Sequence, residues 1–471
     1  DTYASPAEAP ELKEIDPTAP GENYKDYGEN SFTNTLQQPV STFAIDADGA
    51  SYANCRRFLD HDQLPPPAAI RIEELVNYFP FDLTQSQLPN PQSSIALDGE
   101  ISDCPWASGH KLLRLGVKGK HIPRQQLPAC NFVFLVDVSG SMSDPGKLDL
   151  LKDAFVLFAE KLRPQDRVAL VTYAGEAGVA LESTSGKDFS TIRNAIRRLD
   201  SGGSTNGEGG IHKAYEIAVK NFLPNGNNRV VLATDGDFNV GVSSEEELVK
   251  LIEDKRKTGV FLTVLGVGTG NYQDAQMEQL ANHGNGTYEY LDNLDQARKV
   301  FVDEFGKFFT VAQDVKIQLH FNPKLVKEYR LVGYENRMLE QEEFFDDTKD
   351  AGEIGADQCI TALYEIVPVK KPQTWNEKVR SMAWLTGVKP KQPLDANAAL
   401  RIDCRYKIPG EKNSIPLALD LLAQTTKFEK SSENMRFTAA VAGYGMLLKG
   451  SENKGDLTWK QVRRWAEGAR S

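Results

Sequence analysis

Apolar positions along the chain change period several times. Between residues 130 and 310, short apolar runs alternate with amphipathic stretches: NFVFLVDV, RVALVTYA and GVALEST, then DFSTIRNAIRRL and EGGIHKAYEIAVKNF, then RVVLATDG, SEEELVKLIEDKRK, VFLTVLGVG, DAQMEQLANH, GTYEYL and DQARKVFVDEFGKFF. Fully apolar strands separated by helices predict an α/β unit with a doubly wound, mostly parallel six-stranded sheet, covered on both faces through right-handed crossovers. RVALVTYA and GVALEST stand too close together for a crossover helix, so they are expected to form an antiparallel pair at one sheet edge.

The flanks read differently. Residues 51–60 and 68–78 space apolar side chains at helical intervals on either side of Pro65-Pro66-Pro67, whereas 95–101 and 111–118 alternate in the strand manner. Strand texture returns after Val311 in VKIQLHFN, LVKEYRLVGY, CITALYEIVPV, SMAWLTGVK and LRIDCRYKIP. These two sets of strands lack partners, which predicts one β-rich, sandwich-like domain with short helices, made of residues 41–120 and 311–410. The α/β unit at 130–310 would be inserted in it, and three successive domains is the alternative arrangement. Residues 411–471 are expected as a helical end. Residues 1–40 hold five prolines, eight acidic and two basic residues, which reads as a disordered acidic leader or tether. From Asp1 onward it has neither the basic nor the apolar region of a secretory leader.

Composition narrows the function. The 471 residues exceed the roughly 250–300 at which one core stops growing, so more than one domain is expected. The net charge is −12, half of it in the first 40 residues. An acidic balance argues against nucleic acid and against an anionic membrane surface as partners. Uninterrupted apolar runs such as Phe132 to Val136 fall far short of the ~20 residues of a membrane-spanning helix. Five cysteines (Cys55, Cys104, Cys130, Cys359, Cys404) form no C-x-x-C pair, and the histidines have no zinc spacing. The odd cysteine count leaves two readings open, a reduced set or one or two disulfides with a free thiol.

The strongest local signal is Asp137-Val138-Ser139-Gly140-Ser141, directly after the strand NFVFLV. Alternate residues of an extended segment point one way, so Asp137, Ser139 and Ser141 can aim three oxygens at one point above the strand's carboxyl end. Open α/β sheets bind ligands there. Thr205 in GGSTNG, opening a helix, and Asp235 in ATDGD, directly after the strand RVVLA, stand at corresponding loop positions. Five oxygen donors without nitrogen or sulfur describe a hard-cation site, with Mg²⁺ first and Mn²⁺ or Ca²⁺ as alternatives. Only two of the five are anionic, so a bound ion would stay electrophilic and keep a position for an outside carboxylate.

DVSGS, GGSTNG and ATDGD in this frame resemble the metal-ion-dependent adhesion site of von Willebrand factor type A domains, over roughly residues 130–310. The resemblance implies Asp137, Ser139, Ser141, Thr205 and Asp235 as metal ligands or water-bridged partners. It further implies a protein-binding module that is not an enzyme, whose ion coordinates an aspartate or glutamate of a partner protein. The flanks, among them STFAIDADGASYANCRRFL and GYENRMLEQEEFFDDTKDAGEIGA, resemble a bacterial group of such proteins with an uncharacterised C-terminal region. Many members of that group look like lipoproteins. An extracytoplasmic location with a lipid anchor upstream of residue 1 is therefore expected, rather than a cytoplasmic one. Two other classes stand beside this reading: an envelope component whose metal only stiffens the loops, and a Mg²⁺-dependent phosphohydrolase with Asp137 as nucleophile. The latter needs an acid two residues on, where Ser139 stands.

Other features read as structural. Asp237 is expected to cap a turn or orient a metal-bound water, and Glu208 to favour the helix dipole. Gly266-Val267-Gly268-Thr269-Gly270 has its third glycine one position early for a dinucleotide fingerprint and reads as a turn; Gly202-Gly203 lacks the rest of a P-loop. His212 has no paired nucleophile motif and reads as partly exposed and structural. Phe301, Phe305, Phe308 and Phe309 read as packing residues. The acidic stretch 340–350 reads as a solvated loop, with an internal metal ligand as the sharper alternative.

Overall fold

A computed structural model describes residues 13–14, 21–45, 48–81, 93–175, 177–203, 207–236, 245–270, 272–370 and 397–469. In chain order the elements are β1 (Lys13–Glu14), β2 (Thr33–Asn34), β3 (Val40–Ala44), α1 (Ala50–Asp60), β4 (Gln63–Leu64), α2 (Ile72–Asn77), β5 (Ile95–Asp103), β6 (Lys111–Gly119) and β7 (Cys130–Asp137). Next come α3 (Leu148–Ala159), β8 (Arg167–Tyr173), β9 (Ala177–Ser185), α4 (Phe189–Arg197), α5 (Gly207–Lys220), β10 (Asn227–Thr234), α6 (Glu245–Arg256), β11 (Phe261–Val267), α7 (Asp274–His283), β12 (Tyr288–Leu291) and α8 (Leu294–Arg298). The chain continues through β13 (Thr310–Phe321), β14 (Val326–Val332), β15 (Gly352–Gly355), β16 (Cys359–Pro368), β17 (Ala398–Lys407) and β18 (Ile415–Leu422) to helices over Glu433–Lys449 and Trp459–Gly468.

All eight residues of β7 are buried, as a central strand covered on both faces requires. Its sheet has the order β12-β11-β10-β7-β8-β9, parallel throughout except for β9, which pairs antiparallel with β8 at the edge. The period of two divides β7 between two cores. Phe132, Phe134 and Val136 join Leu148, Leu151, Phe155 and Phe158 of α3 and Ile192 and Ile196 of α4, while Val133 and Leu135 join α5, α6 and α7. Phe301, Phe305, Phe308 and Phe309 are all buried, and Phe301 and Phe305 pack on Phe158. The segment carrying these rings is not the single α-helix that its spacing suggests. After α8 it passes through a π turn at Lys299–Asp303 and a 3-10 turn at Phe305–Phe308, a change of pitch that fits the bulky rings against Phe132 and Phe134.

The short β1 and β4 pair in parallel with each other, and the ten remaining strands build two five-stranded sheets. One has the order β2-β14-β16-β6-β5; the other has β15-β13-β17-β18, with β3 also on β13. Strands from before residue 120 and after residue 310 therefore share hydrogen-bonded sheets. Opposite β17, β13 serves two partners on one edge by bending: its first residues pair with β15 and its later ones with β3, with a register shift near Asp314, which adopts φ 50°. Ring packing closes the two sheets on each other. Phe321 of β13 stacks on Tyr329 of β14 with centroids 4.1 Å apart, and the Tyr364 hydroxyl of β16 lies 2.9 Å from Ser41 Oγ of β3.

Two expectations are corrected. Residues 21–40 are not a loose tether: Glu22 forms an ion pair with Arg57, β2 pairs with β14, and Val40 is buried in β3. Enough apolar and aromatic side chains sit there among the acids to dock on the body. The end of the chain is not wholly helical, because β18 extends its sheet through Ile415, Leu417, Leu419 and Leu421 before the two helices begin. Of the two readings open for the cysteines, the structure has the reduced set: all five are free thiols, four of them buried. The expected strand in SMAWLTGVK lies outside the described residues.

Arg71, just before α2, ties the flanking layer to α7. Its buried guanidinium pairs with Glu74, with Asp274 at 2.5 Å and with Glu278 at 3.5 Å. Removing the cation leaves carboxylates crowded in a low dielectric, so Arg71→Met is expected to cost about 3–5 kcal/mol in urea unfolding. Elsewhere, Glu353 of β15 has a buried Oε1 without a hydrogen-bond partner. Burial raises its pKa well above the ordinary 4.5, Asp350 and Asp314 raise it further, and Arg256 and Arg229 oppose them. A raised carboxyl holds its proton in the fold where the unfolded chain has released it, so the fold loses stability as pH rises above 4.5 towards the raised value. Glu353→Gln escapes that loss. Its stability advantage over wild type in urea melts is expected to be absent in mild acid and to grow up to pH 8.

Candidate functional site

The site is positioned by the order in which strands add to the sheet. From β7 the chain crosses through α3 to β8 on one side, and through α5 it returns to β10 on the other. Loops leaving β7 and β10 thus diverge above adjacent carboxyl ends, which is where open α/β sheets form a crevice. Asp137 ends β7, and Asp235 follows β10 in the neighbouring strand; both are fully buried.

The local geometry follows from short side chains bonding to their own backbone. Asp137 Oδ1 accepts the Ser139 N–H at 2.8 Å, turning the chain so that Ser139 Oγ and Ser141 Oγ lie 3.1 Å apart. Two backbone bonds pin this loop to the one after α4: Gly140 N–H donates to Gly203 O at 3.1 Å, and Gly202 N–H to Val138 O at 2.7 Å. Met142 is buried beneath the 3-10 turn Gly140–Ser143 and anchors it. On the β10 side, Gly236 takes φ 98° and donates its N–H to Thr234 Oγ1 at 3.1 Å. A side chain there would be strained in that left-handed conformation.

Three residues that sequence reasoning missed hold the two carboxylates. Asp137 Oδ2 accepts from the Tyr173 hydroxyl at 3.1 Å and from Thr234 Oγ1 at 3.3 Å, one from each neighbouring strand. Lys147 donates to Asp235 Oδ2 at 3.0 Å and is itself only 3% exposed. Burial raises the pKa of Asp137, the Asp235 charge adds to this, and the Ser139 N–H opposes it. Tyr173 carries a readable signal, since it ends β8 as Asp137 ends β7, in register. Thr234 carries a weaker one as the residue before Asp235.

Four of the five expected ligands, Asp137, Ser139, Ser141 and Asp235, thus stand at the carboxyl ends of two adjacent central strands; Thr205 and Asp237 lie outside the described residues. Two carboxylates and two hydroxyls are hard oxygen donors of low total charge, and this set fits a divalent cation such as Mg²⁺. Glu208 and His212 lie 4.0 Å apart on α5, both more than 40% exposed, as expected of surface residues. The acidic stretch 340–350 is held by bases and not by the candidate site. Asp350 pairs with Arg256 at the end of α6, which leads into the start of β11 and so lies at the amino ends of the parallel strands, and Asp347 pairs with Arg405. Among the described residues, a group of three carboxylates able to hold a metal also occurs, at Asp314, Asp350 and Glu353.

Comparison with known proteins agrees with the fold. A family model described as von Willebrand factor type A domain matches residues 131–302, one described as von Willebrand factor matches 18–114, and one described as Uncharacterized protein YfbK, C-terminal, matches 306–471. The chain is 40% identical over 466 residues to Uncharacterized protein YfbK of Escherichia coli (strain K12), covering 95% of this chain and 77% of that protein. It is 28% identical over 203 residues to inter-alpha-trypsin inhibitor heavy chain H1 of Sus scrofa, covering 40% of this chain and 22% of that one. A solved structure, von Willebrand factor type A from Catenulispora acidiphila, aligns with a TM-score of 0.44 at 16% identity over 79% of this chain and 89% of its own. The doubly wound sheet and the match over 131–302 make this a von Willebrand factor type A domain protein. With its flanks matched as well, the chain belongs to the family of YfbK.

Loss of the Tyr173 hydroxyl leaves a buried carboxylate short of a donor. Tyr173→Phe is therefore expected to lower stability by about 1.5–3 kcal/mol in denaturant melts.

Proposed function

We propose that residues 130–310 act as a metal-dependent protein-binding module, carried as an insertion in the β-rich domain formed by residues 41–120 and 311–410. Asp137, Ser139, Ser141, Thr205 and Asp235 hold a divalent cation, Mg²⁺ in the first place, directly or through water. The ion coordinates an aspartate or glutamate of a partner protein. The observation that carries this reading is the meeting of the Asp137-x-Ser139-x-Ser141 loop with Asp235 above adjacent central strands. Type A domains serve protein interaction, and this chain's own geometry supports the metal. Asp137 and Asp235 are buried side by side, and their mutual repulsion favours a cation between or beside them. The reading is non-enzymatic. Ser139, at the position where phosphoryl transfer through Asp137 would need an acid, is a hydroxyl turned towards Ser141. An extracytoplasmic location, with lipid tethering upstream of residue 1, belongs to the same proposal. Among the described residues, no helix is long and apolar enough to cross a membrane.

Calorimetric titration with Mg²⁺ and Mn²⁺ is expected to show one site in the wild-type chain. In Asp137→Ala the affinity should drop by at least about tenfold, equivalent to roughly 1.4 kcal/mol. A pull-down from the native envelope should then yield a partner that EDTA releases and that Asp137→Ala does not retain. Unchanged metal affinity in Asp137→Ala would end this reading.

A further inference from the structure

Lys147 is placed too deliberately to be an incidental neighbour of the site. Its ammonium lies 3.0 Å from Asp235 Oδ2 and 3.4 Å from Asp144, and the side chain is 3% exposed against 65% for Asp144. The aliphatic stem runs through a slot cleared by Gly268. A Cβ on that glycine would stand 2.5 Å from Lys147 Cε and 2.6 Å from Cγ. Gly268 is held in a left-handed conformation, φ 75°, with its carbonyl accepting from the Tyr290 hydroxyl at 2.7 Å. The glycine-rich turn after β11, which fits no nucleotide motif, thus has a structural role, for it lets a lysine reach a carboxylate of the candidate metal site.

We propose that Lys147 is a tethered counter-ion of that site, which must leave Asp235 before a divalent cation can be held there. This rests on the metal-binding reading above. A buried carboxylate needs a compensating charge, and Lys147 supplies one to Asp235 when no ion does. The same ammonium repels a cation arriving beside Asp235, so it sets a threshold for binding. Lysine suits an exchange of this kind because its ammonium is a compact charge on a flexible stem. Asp144, three residues earlier and open to solvent, is already within reach as the alternative partner. Lys147 precedes the first turn of α3, where its carbonyl accepts the Leu151 N–H at 3.1 Å, so its side chain moves without unwinding the helix.

The test is Mn²⁺ titration of the full chain by calorimetry, with thermal melts in EDTA and in Mn²⁺, for wild type, Lys147→Met, Lys147→Gln and Asp137→Ala. Both lysine variants are expected to bind Mn²⁺ more tightly than wild type by about tenfold or more, having lost the competing charge. They should melt lower in EDTA and gain more from Mn²⁺. A lysine with a merely structural role would lower metal affinity when removed, so unchanged or weaker binding in both variants overturns the proposal. If a variant fails to stay folded in EDTA, refolding at Mn²⁺ levels that leave wild type unsaturated supports the proposal, and failure of both variants to refold at any Mn²⁺ level overturns it. A wild-type chain and lysine variants all silent to Mn²⁺ would instead sink the metal site itself.

Discussion

Two carboxylates buried side by side impose the constraint around which the centre of this protein is arranged. Asp137 and Asp235 stand at the ends of adjacent strands with no exposure to water. Such groups persist only where hydrogen bonds and opposite charge replace hydration. The protein supplies both from every side. Tyr173 and Thr234 donate from the neighbouring strands, Ser139 donates from the loop, and Lys147 brings a positive charge. Strand order, the glycines at Gly236 and Gly268, and the pinned loops at Gly140 and Gly202 all serve to bring these donors to one edge of the sheet.

The flanking layers are tied to the α/β unit at several points, among them the turn after β11, where the Gly270 N–H donates to Glu22. Arg71 joins α2 to α7 through buried ion pairs, and the phenylalanines from Phe301 to Phe309 link the last turn of the α/β unit to the core beneath β7. β13 begins one residue after Phe309 and immediately pairs with β15, so the connection between the two layers has no slack. The site end of the sheet faces away from the charged region formed by Asp314, Asp350, Glu353 and their bases. The two charge clusters, one buried and one half-buried, are therefore separate problems solved with separate residues.

How much of this is legible in the sequence depends on how far each interaction reaches along the chain. The central sheet is readable because its strands are apolar on both faces and its helices keep a regular period. The antiparallel edge pair β8–β9 is readable from one short connection. Asp137, Ser139 and Ser141 announce themselves because their geometry is local. Lys147 does not, because its contact with Asp235 spans 88 residues and depends on a slot made by Gly268 in a third loop. Ile415–Leu422 carries a plain period-two alternation but stands beside two strong helical stretches, which mask it. Residues 21–40 mislead through composition: the prolines and acids dominate a count, while docking is decided by a few residues such as Glu22, Tyr24 and Val40 that meet partners far along the chain.

That the oxygens above β7 and β10 form a cation site is tested most directly by a crystal structure of the chain grown in Mn²⁺, with anomalous data collected for manganese. One strong anomalous peak is predicted, within coordination distance of Ser139 Oγ and Ser141 Oγ and beside Asp137. A manganese peak at Asp314, Asp350 and Glu353 alone, or none at all in a well-ordered crystal, would contradict it.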